Sequence, residues 1–183
     1  MASTTWRKIA RRIRVPLGFA FTALYLWLAT PTAASLWLGS ALIIPGLAIR
    51  ALASGHVQKN EQLTTTGPYA YTRNPLYLGS LILAAGFAIS ARSWWIGAGL
   101  IAIFVAIYLP VIRGEEAFLG EHFPEFAAYS RQVPRLFPRK RSFSGGRGTF
   151  SWDLYRKHRE YNATLGAVAM MAALSAKVFW ISR

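Results

Sequence analysis

The amino-acid sequence predicts an all-α integral membrane protein, a bundle of about five transmembrane helices with its polar segments gathered on one side. Three observations carry this expectation. The chain is 54% hydrophobic, with a mean hydropathy of +0.29, above the share usual for a soluble globule. Its apolar residues fall in long runs. Short, strongly basic segments separate those runs and bring the formal net charge to +14.

Residues 1–14 form a basic arm with Arg7, Lys8, Arg11, Arg12 and Arg14. An uncharged run from Val15 to Thr30 follows, Pro31 punctuates, and a second run extends from Ala33 to Ile49. The third run is Leu76 to Ser90, the fourth Ser93 to Ile112 and the fifth Ala163 to Ile181. A hydrocarbon core about 30 Å thick asks for about 20 helical residues, so the first and third runs need flanking residues or local thinning. The first run is read as a retained helix and not a cleaved signal, because its apolar stretch is long and the next run follows at once. The pair makes a hairpin around Pro31-Thr32. The expected organisation is one domain, 1–183. It comprises the cytosolic arm 1–14, a four-helix membrane core 15–112, a cytosolic site segment and linker 113–161, and a fifth helix 162–183.

Placing the N-terminus inside puts 18 of the 21 basic residues inside as well, leaving Arg92, Lys177 and Arg183 at or near the outer ends. Cytoplasmic segments retain Lys and Arg, so this orientation is expected, with Lys177 snorkelling outward. All seven acids, from Glu61 to Glu160, then face the cytoplasm, and any chemistry belongs on that side. The bilayer is the first expected partner. The basic residues flank spans and form no recognition motif, so nucleic acid is not expected. No cysteine is present, which excludes disulfides and thiolate chemistry. His56, His122 and His158 are scattered, so no metal centre is expected. Segment 139–150, basic and glycine-rich, reads as a flexible linker lying on anionic headgroups.

Two stretches stand out. The first runs Gly67-Pro68-Tyr69-Ala70-Tyr71-Thr72-Arg73-Asn74-Pro75-Leu76-Tyr77-Leu78-Gly79. Gly-Pro makes a turn, and Asn74-Pro75 starts the third helix with Asn74 near the N-cap. Helix initiation accounts for Gly67, Asn74 and Pro75, but not for three tyrosines and an arginine in so short a space; a ligand site accounts for them better. The second is Arg113-Gly114-Glu115-Glu116, just past the fourth run. Adjacent carboxylates are unfavourable unless a cation sits between them, and Arg113 or a ligand amine is the expected cation. This stretch continues into Phe123-Pro124-Glu125-Phe126 and Val133-Pro134-Arg135. Gly97 and Gly99 lie mid-run, outside any strand-to-helix context, and are read as packing glycines. Tyr108 and Pro110 bend the fourth helix and are assigned no chemistry.

Residues 61–138, with these motifs in this order and spacing, resemble the isoprenylcysteine carboxyl methyltransferase family and its phospholipid N-methyltransferase relatives. The resemblance implies a methyltransferase that uses S-adenosyl-L-methionine and acts on a lipophilic acceptor at the membrane. It implies that Gly67, Pro68, Tyr69, Arg73, Asn74, Pro75, Tyr77 and Gly79 line or shape the cofactor pocket, completed by Glu115 and Glu116. Asn74 stands where many members have His, Pro124 replaces a Gly, and Phe126 takes a usual Tyr place.

A methyl sulfonium donor is already activated, so the protein has to align the partners and stabilise changing charge. On this reading Arg113 pairs with an acceptor carboxylate, or Glu116 serves as general base for an acceptor amine; these two are the expected catalytic residues. Glu115 holds the donor. The competing readings are an NADPH-dependent membrane reductase, which should show several basic groups for phosphates, and a non-enzymatic membrane scaffold.

Overall fold

The computed structural model describes residues 21–58, 61–143 and 148–181. The basic arm and most of the first expected span lie outside the described residues. Among the described residues every regular element is helical. Residues 21–28 are helical and form α1. Then come α2 (Ala33–Ser54), a 3₁₀ turn (Gly67–Ala70), α3 (Pro75–Ala91), α4 (Trp94–Ile103), a π-helical segment (Phe104–Tyr108), α5 (Leu109–His122), α6 (Phe126–Gln132), α7 (Trp152–Lys157) and α8 (Tyr161–Ile181). Among the described residues three helices are long and apolar enough to cross a membrane: Ala33–Ser54, Trp94–His122 and Tyr161–Trp180. A fourth, α3, is apolar but has 17 residues, about 25 Å at 1.5 Å per residue. The chain is a helical membrane protein.

Local chemistry sets the boundaries. Thr32 caps α2 through a capping box with Ser35, whose hydroxyl also donates to Ser90 O at the end of α3. Pro75 occupies the first turn of α3, where its missing N–H costs nothing. The fourth run does not stop at Ile112; the helix continues to His122. Charge alone does not end a helix. It ends where Phe123, extended at φ −126 and ψ 103, precedes Pro124. Within it, Pro110 has no N–H to give Ala106 O, and the ladder loosens into the π-helical turn Phe104–Tyr108.

Helices α2 and α3 pack backbone to backbone. A Cβ on Gly46 would lie 3.0 Å from Gly79 O, and one on Gly86 2.8 Å from Gly39 O. Small residues permit this approach in apolar surroundings. Gly97 and Gly99, expected to pack likewise, meet nothing within 4 Å: Gly97 borders an open space beside α3 and Gly99 is exposed. At the end remote from α5, Tyr25, Ala29, Ala91, Ile96 and Leu174 form one core cluster. There Lys177 does not snorkel free: its ammonium donates to the carbonyls of Leu26 and Ala29 at the end of α1. Trp37 and Trp180 at this end are about four-fifths exposed (79% and 80%), as expected of an aromatic belt at a membrane interface.

Candidate active site

The opposite end of the bundle is assembled from the start of α3, from α5 and α6, and from residues 133–136. Backbone and side-chain bonds fix the last of these against the first. Arg73 N donates to Pro134 O (2.9 Å), the Thr72 hydroxyl to Leu136 O (2.8 Å), and Asn74 Nδ2 to Arg135 O (2.9 Å). Asn74 stands at the N-cap of α3 yet makes no side-chain cap, since its amide is directed elsewhere.

Its second partner is Glu116, the buried hub of the site. Oε1 accepts from Arg73 Nε (3.0 Å) and Asn74 Nδ2 (3.0 Å). Oε2 accepts from Arg73 Nη2 (3.3 Å) and Arg135 Nε (2.8 Å). A carboxylate has about four lone-pair positions, and here four donors occupy them. Arg73 is further held by Ser130 O and lies over the Phe126 ring at 5.9 Å, a cation–π distance. Glu115, one residue earlier and about 100° round the helix, is exposed and accepts one bond, from Tyr77 Oη (2.9 Å).

These groups border a cavity of about 610 Å³, inside the range of about 300–1,000 Å³ usual for ligand sites. Of the expected site residues, Tyr69, Arg73, Asn74, Tyr77, Glu115 and Glu116 line it. Gly67, Pro68, Pro75 and Gly79 do not. Gly67 sits at φ +58, which favours glycine, and a Cβ there would also strike His56; it shapes the turn that delivers Tyr69. Gly79 faces α2. Arg113 is exposed and stands outside the cavity wall; the cations that meet Glu116 are Arg73 and Arg135. Glu116, expected as a general base, is instead saturated by donors.

The sequence alone assigned no site role to Tyr129, Phe126, Phe118 or Arg135. Tyr129 Oη donates to Tyr69 O (2.7 Å), and burial pushes both phenols well above the ordinary tyrosine range, so both stay neutral at physiological pH. Arg135 stood in a motif already noted, beside a pair of acids in need of a cation; that was its signal. The segment read as a flexible linker on anionic headgroups is held to the protein at both described ends. Arg139 N donates to Tyr71 O, Phe143 N to Ala70 O and Ser151 N to Gly55 O.

The cavity thus joins aromatic faces and a carboxylate with one bond to a wall whose guanidinium, Arg73, is already neutralised. Such a lining suits a ligand with a cationic group and a flat aromatic ring. The family model described as phospholipid methyltransferase matches residues 15–125. The chain is 39% identical over 98 residues to the cobalt-zinc-cadmium resistance protein CzcN of Cupriavidus metallidurans, covering 54% of this chain and 44% of that protein. It is 34% identical over 112 residues to the nickel-cobalt-cadmium resistance protein NccN of Alcaligenes xylosoxydans xylosoxydans, covering 56% of this chain and 53% of that one. The chain spans about half the length of these curated relatives. No solved structure matches it.

Proposed function

The chain belongs to the phospholipid methyltransferase family, and on that premise we propose that it transfers a methyl group from S-adenosyl-L-methionine to a lipid amine at the membrane surface. The observation that carries this is Glu115. It is the carboxylate of the cavity wall that no cation neutralises among the described residues, while Glu116 and Arg73 neutralise each other. A cavity of this charge favours cationic ligands. It disfavours the pyrophosphate of NADPH, for which the wall offers no unpaired guanidinium among the described residues. The same argument disfavours a prenylcysteine carboxylate, because Arg113, the residue expected to pair with it, lies outside the wall.

When bound, S-adenosylmethionine supplies a methyl group already activated on a sulfonium. Glu115, supported by Tyr77, attracts the acceptor ammonium and takes its proton, which frees the nitrogen lone pair for attack. Methyl transfer would then form the N–C bond as the S–C bond breaks, with the sulfur leaving as a neutral thioether. Tyr69, Phe118, Phe126 and Tyr129 give the donor aromatic faces. Glu116 organises the wall through Arg73, Asn74 and Arg135 and exchanges no proton. The charge asymmetry of the chain supports a cytoplasmic position for this end, with a lipid acceptor reaching it from between the helices. The relatives' names bring metal resistance into view as a cellular setting. The chemistry proposed is still lipid methylation, since among the described residues no three His, Cys, Asp or Glu side chains gather to hold an ion.

Titration of the detergent-solubilised protein with S-adenosylhomocysteine and, separately, NADPH tests the reading. A rise in thermal midpoint with the first alone is expected, about 2.7 kcal/mol at 100 times the dissociation constant. A rise with NADPH alone would favour the reductase, and a rise with neither, in folded protein, the scaffold.

A further inference from the structure

We infer that the loop 136–143 and the helix α7 form a docking surface for anionic phospholipid headgroups, separate from the cavity. The lipid is bound there and not consumed. Placement is the first support. The loop is fastened just ahead of the first turn of α3. The Thr72 hydroxyl donates to Leu136 O (2.8 Å), Arg139 N to Tyr71 O (3.1 Å) and Phe143 N to Ala70 O (2.8 Å). Residues 150–151 are fastened to the end of α2. Ser151 N donates to Gly55 O (2.9 Å), and a Cβ on Gly55 would meet the Phe150 ring at 2.2 Å. Helix α7 follows directly and leads into α8. Both segments therefore sit where α2, α3 and α8 leave the apolar layer, at the depth of lipid headgroups.

Unpaired cations and exposed aromatics share this level. Phe137 is 73% exposed and Trp152 66%, as suits side chains that enter a membrane interface. Lys140, Arg141, Arg156 and Arg159 are exposed, and none pairs with an acid among the described residues. Their neighbours are already engaged: Arg135 with Glu116 and Lys157 with Glu61. Arg139 donates to the carbonyls of Gln132, Arg141 and Ser142. It closes the loop on itself and leaves Lys140 and Arg141 to the outside. From Arg131 to Arg159 the one acid in the sequence is Asp153, which lies in the first turn of α7. Retention of positive charge in the cytoplasm accounts for how many cations there are. It does not account for their fixed places beside two exposed aromatics. Anionic headgroups complement the cations, and the aromatics select a bilayer over a soluble phosphate.

The docked loop continues from the residues that bring Arg135 to Glu116. Arg139 donates to Gln132 O, beside the buried Val133. Phe143 packs edge-on against Tyr129, with centroids 5.4 Å apart at 75°, and Tyr129 is bonded to Tyr69 O. A headgroup held by Lys140 and Arg141 restrains the loop and, through it, one wall of the cavity. Anionic lipid stabilises the folded protein as any ligand of the native state does.

The test compares phosphatidylglycerol with phosphatidylcholine on the full chain in mixed micelles, by retained lipid and by thermal midpoint. The unaltered protein should retain phosphatidylglycerol preferentially and melt higher in it. In Lys140→Gln/Arg141→Gln the preference should fall at least about tenfold. It should hold in Arg7→Gln/Lys8→Gln, which removes the same charge from the basic arm. Equal falls in these charge-matched variants, or no preference in the unaltered protein, would overturn the docking surface. Glycerophosphoglycerol, the headgroup without its chains, should not displace the lipid at equal concentration; displacement would assign the cations to a soluble phosphate and overturn it too. The chain has no cysteine, so a fluorophore on Phe137→Cys reads insertion directly. In phosphatidylglycerol vesicles acrylamide, a neutral quencher, should reach it far less than the same probe on Glu121→Cys, at the exposed end of α5. Equal quenching at the two positions would put residue 137 in water and refute the inference. Neither readout needs turnover, so a failure here leaves S-adenosylhomocysteine binding to test the enzyme.

Discussion

Glu116→Gln should be among the most damaging single substitutions at the site, through stability and not through lost proton transfer. Each carboxylate oxygen accepts two bonds, so the Gln NH₂ faces two donors whichever way the amide turns. The charge is lost as well. Arg73, with its side chain 12% exposed, is left as an uncompensated buried cation, and breaking a buried pair from one side costs about 3–5 kcal/mol. Arg135, 46% exposed, returns to water and adds about 1 kcal/mol at most. Glu115→Gln removes a single bond at an exposed position and should cost about 1 kcal/mol or less. The assay is equilibrium unfolding in mixed micelles, with the double variant Arg73→Met/Glu116→Leu as companion. Removing both charges should recover part of the loss, because no lone buried charge remains. A Glu116→Gln protein within about 1 kcal/mol of the parent, binding S-adenosylhomocysteine normally, would refute the view that this hub holds α3, α5 and residues 133–136 together.

Other outcomes follow from the same geometry. Tyr77→Phe frees Glu115 from its one bond and should lower kcat by about tenfold or more with little change in donor affinity, read as a kcat-against-KM split; an unchanged kcat would remove Tyr77 from the chemistry. Burial raises the Tyr69 and Tyr129 phenols, so above about pH 10 the unfolded chain has lost protons that the folded chain keeps. Stability should therefore fall as pH rises through that region, and less steeply in Tyr129→Phe; equal slopes would contradict this. Cysteines placed singly at Arg92 and Gln62 should label from opposite sides of the membrane, Gln62 from the cytoplasm, and labelling from one side would contradict the orientation.

The helical architecture was legible because apolar runs of near-span length admit few alternatives once the backbone must satisfy its own hydrogen bonds. Boundaries were less so. The first charge after the fourth run, Arg113, was taken as the helix end, whereas the stop signal is the Phe123-Pro124 pair ten residues on. The site's two halves were legible from residue density alone, since tyrosines, Arg73 and Asn74 crowd one helix start and two acids follow the next span. Helical periodicity puts Glu115 and Glu116 on different faces but does not say which face is buried; that depends on Arg73 and Asn74 at the start of α3 reaching Glu116 across the site. For the same reason the sequence offered Arg113 or a ligand amine as the acids' cation, whereas Arg73 and Arg135 reach Glu116 from 43 and 19 residues away. Gly97 and Gly99 show the converse case, glycines read as packing that border open space, one of them on the wall of a cavity beside α3.

The central claim is methyl transfer to a lipid. The most direct measurement incubates the purified protein in phosphatidylethanolamine-containing vesicles with methyl-labelled S-adenosylmethionine and counts label in the organic extract. Label should appear on the lipid amine and be lost in Glu115→Gln, a variant expected to stay folded. Bound S-adenosylhomocysteine with no label in lipid, or label surviving intact in Glu115→Gln, would contradict the account.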